Sequence, residues 1–279
     1  MITGLTLGGV ALTKDKWLLQ AFKNGSFPST VYTRSKRGGK NGSKLVTPTF
    51  ASYQFVADFL IVGDSFSDLA LQRDAFLGVL GTIHSAGMQT LVATRSDGTG
   101  RQIDIKALEV TGDITTDDGL SSLIEVTLEA EYPFLQSSNQ KSQDVLLFNG
   151  GGMSVPMKVP LDLSIGHSNT ITIQNNGNYA AYPIFTFVGV LTNPVITNVS
   201  TGEALSLTYA LASSSDSIVV DTFLGTVVIK PSGNVGRQYA SGVFWTVPIN
   251  GAITVQLTTS VGGQGGKCVI AFRDTFLNI

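Results

Sequence analysis

At 279 residues the chain has room for two domains of ordinary size, on a prior of roughly 100 to 200 residues per domain, or for one large all-β unit. Its 43% hydrophobic and 14% charged residues exclude a mainly disordered chain, and a net charge of −2 supplies no global field for non-specific nucleic-acid binding. No run reaches the roughly 18 consecutive apolar residues of a membrane-spanning helix. The start MITGLTLGGVALTKDKW lacks the basic head, long apolar run and cleavage site of a secretory signal, so folding in a cytoplasm without membrane insertion is expected.

In chain order, the first informative feature is a stretch without acid. From Lys16 to Ala57 there are seven basic residues and no acidic one, with the core of the run written RSKRGGKNGSK. Arg34, Lys36, Arg37, Lys40 and Lys44 lie within eleven residues, and the glycines among them argue for a mobile or hairpin loop. Two uses fit: a solvated surface loop, or a projecting arm that docks on an acidic neighbouring subunit. Nucleic-acid contact fits less well, because no aromatic platform is interleaved with the charges.

Residues 54–62 read as a buried strand. Residues 65–83 carry Leu69, Phe76, Leu77, Leu80 and Ile83 near helical spacing behind a Ser-rich entry that offers an N-cap, the one convincing helix. Residues 89–95 and 101–110 read as a hairpin closed by Ser96-Asp97-Gly98-Thr99-Gly100. Residues 122–131 alternate, with Ile124, Val126, Leu128 and Ala130 on one face and Glu125, Thr127, Glu129 and Glu131 on the other, the period of a half-buried strand.

A boundary follows. Residues 1–140 hold 12 of the 18 basic and 14 of the 20 acidic residues, whereas 141–279 hold 6 and 6. The polar stretch SSNQKSQ at 137–143, just after Tyr132-Pro133-Phe134, is the natural place to divide domains 1–140 and 141–279. NGGGMSVPMKVP at 149–160 is either further linker or an early loop of the second domain. Beyond it, short apolar or alternating runs at 169–174, 182–190, 204–210, 216–221, 225–230, 242–247, 252–259 and 267–272 are separated by Gly, Asn, Ser or Pro. That spacing, without helical period or tandem repeat, predicts an antiparallel sandwich or jelly roll.

No catalytic constellation is evident, and no cofactor is expected. His84 and His167 are the only histidines, no G-x-S-x-G elbow occurs, and the lone Cys268 has no partner for a disulfide or a thiolate metal site. His84 sits at the end of the predicted helix, where it suits the C-terminal dipole, and His167 sits in a Gly, Ser and Asn loop. Asp117-Asp118 before Gly119 reads as turn chemistry. The run from Val261 to Lys267 imitates a phosphate loop, but it lacks the first Gly, is followed by Cys268 instead of Ser or Thr, and leads into a strand, so a hairpin loop is expected there. Trp245, in a predicted strand, reads as core.

Taken in order, several of these pieces resemble the distal tail proteins of siphophages. In the first half they are ITGLTLGGVAL, the glycine-rich basic segment followed by Pro48, VADFLIVGDSFSDLALQRDAFLGVL, the Ser96-Asp97-Gly98 hairpin and Tyr132-Pro133-Phe134. In the second they are NNGNYAAYP from Asn175, TNPVITN from Thr192, Ser200-Thr201-Gly202, DSIVVDT from Asp216, and Val243-Phe244-Trp245. The resemblance implies a mainly β protein: a ring-forming N-terminal domain of tail-tube type, barrel or sandwich with one helix, and a galectin-like or carbohydrate-module-like C-terminal β-sandwich. It further implies a structural, non-enzymatic virion protein, usually a homohexameric baseplate hub at the distal end of the tail. Its partners would be copies of itself, the tail tube protein, the tail-tip hub or tail-associated protein, and receptor-binding or side-fibre proteins. The basic segment and the hairpin at 89–110 are then the candidate inter-subunit contacts. Two other classes use the same residues: a carbohydrate-binding adhesin exploiting the C-terminal sandwich, with Tyr179, Tyr182, Tyr209, Tyr239 and Trp245 as aromatic supply, and a cell-wall hydrolase.

Overall fold

A computed structural model describes residues 2–23, 29–32, 34–36, 43–45, 49–115, 119–147, 169–262 and 266–278. The protein is mainly β, its paired strands are antiparallel, and it divides into two compact units. One unit comprises Met1–Ser138 with Phe276–Ile279, the other Asn139–Thr275.

The first unit begins with β1 (Ile2–Leu7), β2 (Val10–Ala11) and β3 (Trp17–Lys23). Four short strands follow, β4 (Thr30–Val31), β5 (Arg34–Lys36), β6 (Ser43–Leu45) and β7 (Thr49–Phe50), nested so that β5 pairs with β6 inside the β4–β7 pair. Then come β8 (Tyr53–Val62), α1 (Phe66–Ser85), β9 (Gln89–Arg95), β10 (Gly100–Ile105), β11 (Ala107–Thr115), β12 (Ser121–Ala130) and β13 (Leu135–Ser137). One open sheet runs β2-β1-β9-β10-β13 and ends on the strand Thr275–Phe276; a second runs β11-β12-β8-β3. Neither closes on itself, so the barrel alternative gives way to layered sheets.

Their inward faces share one core. Leu5, Leu7, Leu91 and Ile103 of the first sheet, and Phe55, Phe59, Ile61, Ile124 and Val126 of the second, are buried in it. The helix contributes Leu69, Phe76, Leu80 and Ile83, four of the five positions its spacing predicts, while the fifth, Leu77, is only partly buried against the core. Phe76 is the pivot: its ring lies 5.0 Å from that of Phe59 and 5.1 Å from that of Trp17, edge-on to the latter. Such aromatic pairs add about 0.5 to 1.5 kcal/mol beyond the area they bury.

The expected hairpin at 89–110 is two structures. Gly100–Ile105 does pair with Gln89–Arg95, but after Lys106 the chain changes sheets and Ala107–Thr115 pairs with β12 instead. The reason is burial: Ile103 and Ile105 fill one sheet's inner face, and continuing the same ladder would strand Leu108, which packs on the shared core opposite Leu128.

In the second unit a six-stranded sheet has the order Lys141–Leu146, Lys267–Phe272, Ile184–Val188, Ser217–Asp221, Thr226–Lys230, Asn234–Val235. A five-stranded sheet has the order Thr170–Gln174, Ala252–Thr258, Val195–Asn198, Ala204–Leu207, Ala240–Gly242. A small third sheet joins Ala210–Leu211, Leu191–Thr192 and Val261–Gly262. The two large sheets bury a common core that includes Phe185, Phe187, Ile218, Val255 and Ile270.

Three readings change here. The polar 137–143 stretch is not all linker, because Lys141–Leu146 is an edge strand; only Val145 is buried in it, which is why it looks hydrophilic. The expected strand at 242–247 stops at Gly242, whose φ of +95° and closeness to the Ala204 carbonyl break the ladder. The 261–267 loop is not a hairpin, since Ala252–Thr258 and Lys267–Phe272 belong to different sheets. The 149–160 stretch lies outside the described residues.

Candidate assembly surfaces

The basic segment folds back on itself. Arg34 pairs with Leu45, Ser35 with Lys44 and Lys36 with Ser43, which places Arg34, Lys36 and Lys44 on one antiparallel ribbon. The ribbon's strands form ladders separate from both main sheets of the unit. Arg37 and Lys40 lie outside the described residues. The second candidate contact fares differently, because β9 is paired on both sides, by β1 and β10, and β10 by β9 and β13. Most of that ladder is used within the unit, β10 meeting β13 at Arg101 and Gln102, whereas residues 107–110 run along β11, the edge of the second sheet. At the turn Asp97 accepts hydrogen bonds from the Thr99 hydroxyl and amide at 2.6 and 2.9 Å.

The surface that sequence reasoning missed is the outward face of the β11-β12-β8-β3 sheet. Residues opposite each other in an antiparallel ladder share a face, so the pairings Leu18–Leu60, Leu60–Leu123 and Leu123–Ile114 draw an apolar row across all four strands. Leu18 is 40% and Ile114 65% exposed. Beside that row, Asp58 stands directly opposite Glu125, an arrangement of like charges that disfavours the ladder by itself. Lys23 relieves it, its ammonium lying 2.7 Å from Asp58 Oδ2 and 3.4 Å from Glu125 Oε2. The hydrogen bond to Asp58 holds the Lys23 ammonium above its ordinary range. Thr111 donates to Glu125 Oε1 at 2.8 Å. Asp58 is only 7% exposed, and its Oδ1 has no hydrogen-bond partner among the described residues. Two further carboxylates extend the patch: Glu129, opposite Gln54, and Glu109, opposite Thr127. Alternation in 122–131 identified the polar face, but the meeting of Asp58 with Glu125 depends on register between strands 67 residues apart.

Among the described residues no three His, Cys, Asp or Glu side chains gather to hold a metal ion. Cys268 is fully buried, and burial pushes its thiol up, away from the reactive thiolate. His84 is exposed in the last turn of α1, where the backbone amides of Ala86 and Gly87 close the helix, Gly87 with a φ of +80°. His167, Asp117 and Asp118 lie outside the described residues. Trp245 is core, 2% exposed with its ring 4.7 Å from that of Phe185. The second unit carries an open cleft of about 360 Å³ lined by Tyr209, Asp216, Lys230 and Ser232 together with Leu211, Ile229 and Pro231. Tyr239 backs Tyr209, with ring centroids 5.1 Å apart. Among the described residues no helix is long and apolar enough to cross a membrane.

No protein-family model and no curated protein matches the chain. Among solved structures it is similar to the Dit protein of SPP1, a paradigm of the hub adsorption apparatus in phages that infect Gram-positive bacteria. That likeness has a TM-score of 0.67 at 15% identity and covers 98% of this chain and 99% of the other. It is also similar to chains of the phage P2 baseplate in its activated conformation. With calcium the TM-score is 0.47 at 11% identity, covering 97% and 98% of the two chains; with strontium it is 0.43 at 12%, covering 96% and 97%. The likeness to the SPP1 protein shows that this chain has the Dit fold across both units.

Proposed function

We propose that the chain is a structural hub protein of a long-tailed phage, located in the virion at the distal end of the tail and assembled in the host cytoplasm. The observation that carries this reading is the shared fold with the SPP1 hub protein over nearly the whole of both chains. A hub acts by presenting surfaces. The outward sheet face and the separate basic ribbon supply such surfaces, and the buried, unreactive Cys268 supplies no chemistry. In this reading the first unit forms a closed ring, of six copies by the resemblance, through head-to-tail contacts that close on rotation. The ring joins the tail tube to the tip, and the galectin-like second unit faces receptor-binding or side-fibre proteins. Arg34, Lys36, Arg37, Lys40 and Lys44 contact the neighbouring subunit.

The test is to purify the full chain and examine it by native mass spectrometry and negative-stain electron microscopy. Closed rings of one stoichiometry that dissociate as salt rises are expected. A strictly monomeric chain at high concentration, and its absence from isolated tails, would sink the hub reading. The cleft at Tyr209 favours a second activity of the same protein, saccharide binding: an aromatic face flanked by a carboxylate, an ammonium and a hydroxyl matches the chemistry of a sugar ring. A glycan array probed with the wild type and with Tyr209→Ala decides it, and equal signals from both would reject the cleft as a sugar site.

A further inference from the structure

The outward face of the β11-β12-β8-β3 sheet holds four carboxylates, Asp58, Glu109, Glu125 and Glu129, against one ammonium, Lys23. Lys106, just before β11, is paired with Glu131 at 2.8 Å. Among the described residues Glu109 and Glu129 make no close ion pair or side-chain hydrogen bond, although the charge of Glu129 helps to hold the Lys106 ammonium up. The isolated unit therefore keeps an acidic surface next to an exposed apolar row, and within it a nine-tenths-buried carboxylate with an unsatisfied oxygen. A buried acceptor without a partner is disfavoured, the more so when charged.

The chain itself carries the complementary group. Residues 34–44 hold five cations and no anion, mounted on a ribbon whose backbone is paired independently of the main sheets. Building on the ring reading, we propose that the acidic outward sheet face of one copy is the seat for the basic ribbon of the next. The cations cover Asp58, Glu109, Glu125 and Glu129, and the row Leu18, Leu60, Leu123 and Ile114 supplies the apolar area beside them. Exposed ion pairs contribute little individually, so the charges set orientation and association rate, while burial of the apolar row holds the contact. A ribbon docking on a different copy's face is a heterologous contact, the kind that closes into a ring.

A complementary charge swap tests it on the full chain. Variant one carries Arg34→Glu, Lys36→Glu, Arg37→Glu, Lys40→Glu and Lys44→Glu; variant two carries Glu109→Lys and Glu129→Lys, two carboxylates outside the Lys23 ion pairs. Each alone is expected to lose rings while keeping the wild-type circular dichroism spectrum. Mixed one to one, they should regain rings in which the two variants alternate, so that native mass spectra show only even, equimolar assemblies. Rings from variant two alone, or a mixture that stays unassembled while the wild type forms rings, would overturn the seat and leave the ring reading standing. The second of those outcomes is what a ribbon folded onto its own subunit would give. A wild type that forms no rings under any condition overturns both.

Discussion

At the scale of single residues, polar groups inside the two units divide into those that are satisfied and those that are not. Asn175, fully buried, is satisfied on both ends: Nδ2 donates to the Tyr179 carbonyl at 2.7 Å and to the Pro248 carbonyl at 3.1 Å, while Oδ1 accepts from the Gly177 amide at 2.9 Å. Gly177 lies so close to the Thr275 backbone that a Cβ there would collide with it. The run NNGNYAAYP is thus a stapled corner, and Asn175→Ala, which orphans several buried groups at once, is expected to cost about 3 kcal/mol in urea unfolding of the full chain. Tyr53 is the opposite case. It is 2% exposed, its hydroxyl has no partner among the described residues, and burial pushes its ionisation up to about 12. Tyr53→Phe removes an unmatched polar atom and keeps the ring against Phe55, so the variant should equal or exceed the wild type in thermal midpoint. A clear loss of stability would mean that the hydroxyl has a partner in solution. Cys268, buried with a raised thiol, should stay unmodified by a thiol reagent in the native protein and react at once in denaturant.

At the scale of elements, the entry to α1 shows how a sequence signal becomes an energetic device. Ser65 caps the helix by accepting from the Asp68 amide at 3.2 Å, and the Asp68 carboxylate reaches back to the Asp64 amide at 2.9 Å, a variant of the reciprocal capping box. Lys16 bridges the Asp64 and Asp68 carboxylates, each at 2.6 Å. That ammonium first, and then the Asp64 amide and Gln72, hold Asp68 down at about 2. A depressed acid contributes stability above its unfolded value of 3.8, and that contribution is lost as pH falls toward about 2. Stability measured across this window should fall less steeply in Asp68→Asn than in the wild type, with the variant starting lower at neutral pH; parallel curves would contradict the assignment. Just upstream, a Cβ at Gly63 would strike the Leu69 backbone, so Gly63→Ala should destabilise the first unit by forcing the helix off its seat. This helix was legible because its apolar spacing and Ser-rich entry are local, and 122–131 was legible because alternation is local. What was hidden depends on partners far along the chain: the change of sheet at Lys106, the edge strand Lys141–Leu146 with one buried residue, and the opposition of Asp58 to Glu125. The basic arm could be read as a charge run, but the surface that complements it could not, because its carboxylates come from three different strands.

At the scale of the whole molecule, the chain enters the second unit at Asn139 and comes back, because Phe276–Ile279 belong to the first unit. The strand Thr275–Phe276 extends the first sheet beyond β13, and the Arg101 guanidinium lies 3.9 Å over the Phe276 ring while donating to the Asn278 carbonyl. A cation held over an aromatic face contributes about 0.5 to 2 kcal/mol depending on how far it is desolvated. The first unit is therefore not a continuous segment, and a fragment ending at Ser138 lacks part of its own sheet. Limited proteolysis of the full chain is expected to cut in or near the Gly- and Pro-rich sequence at 149–160 and to spare the paired strands Lys141–Leu146 and Thr170–Gln174. The amino-terminal product, even when folded, should melt below the same unit in the intact chain. Arg101→Ala in the intact chain should reproduce part of that shift, since it releases the tail without cutting anything. If the fragment melts with the intact chain and Arg101→Ala changes nothing, the tail is a passive end and the first sheet is complete at β13.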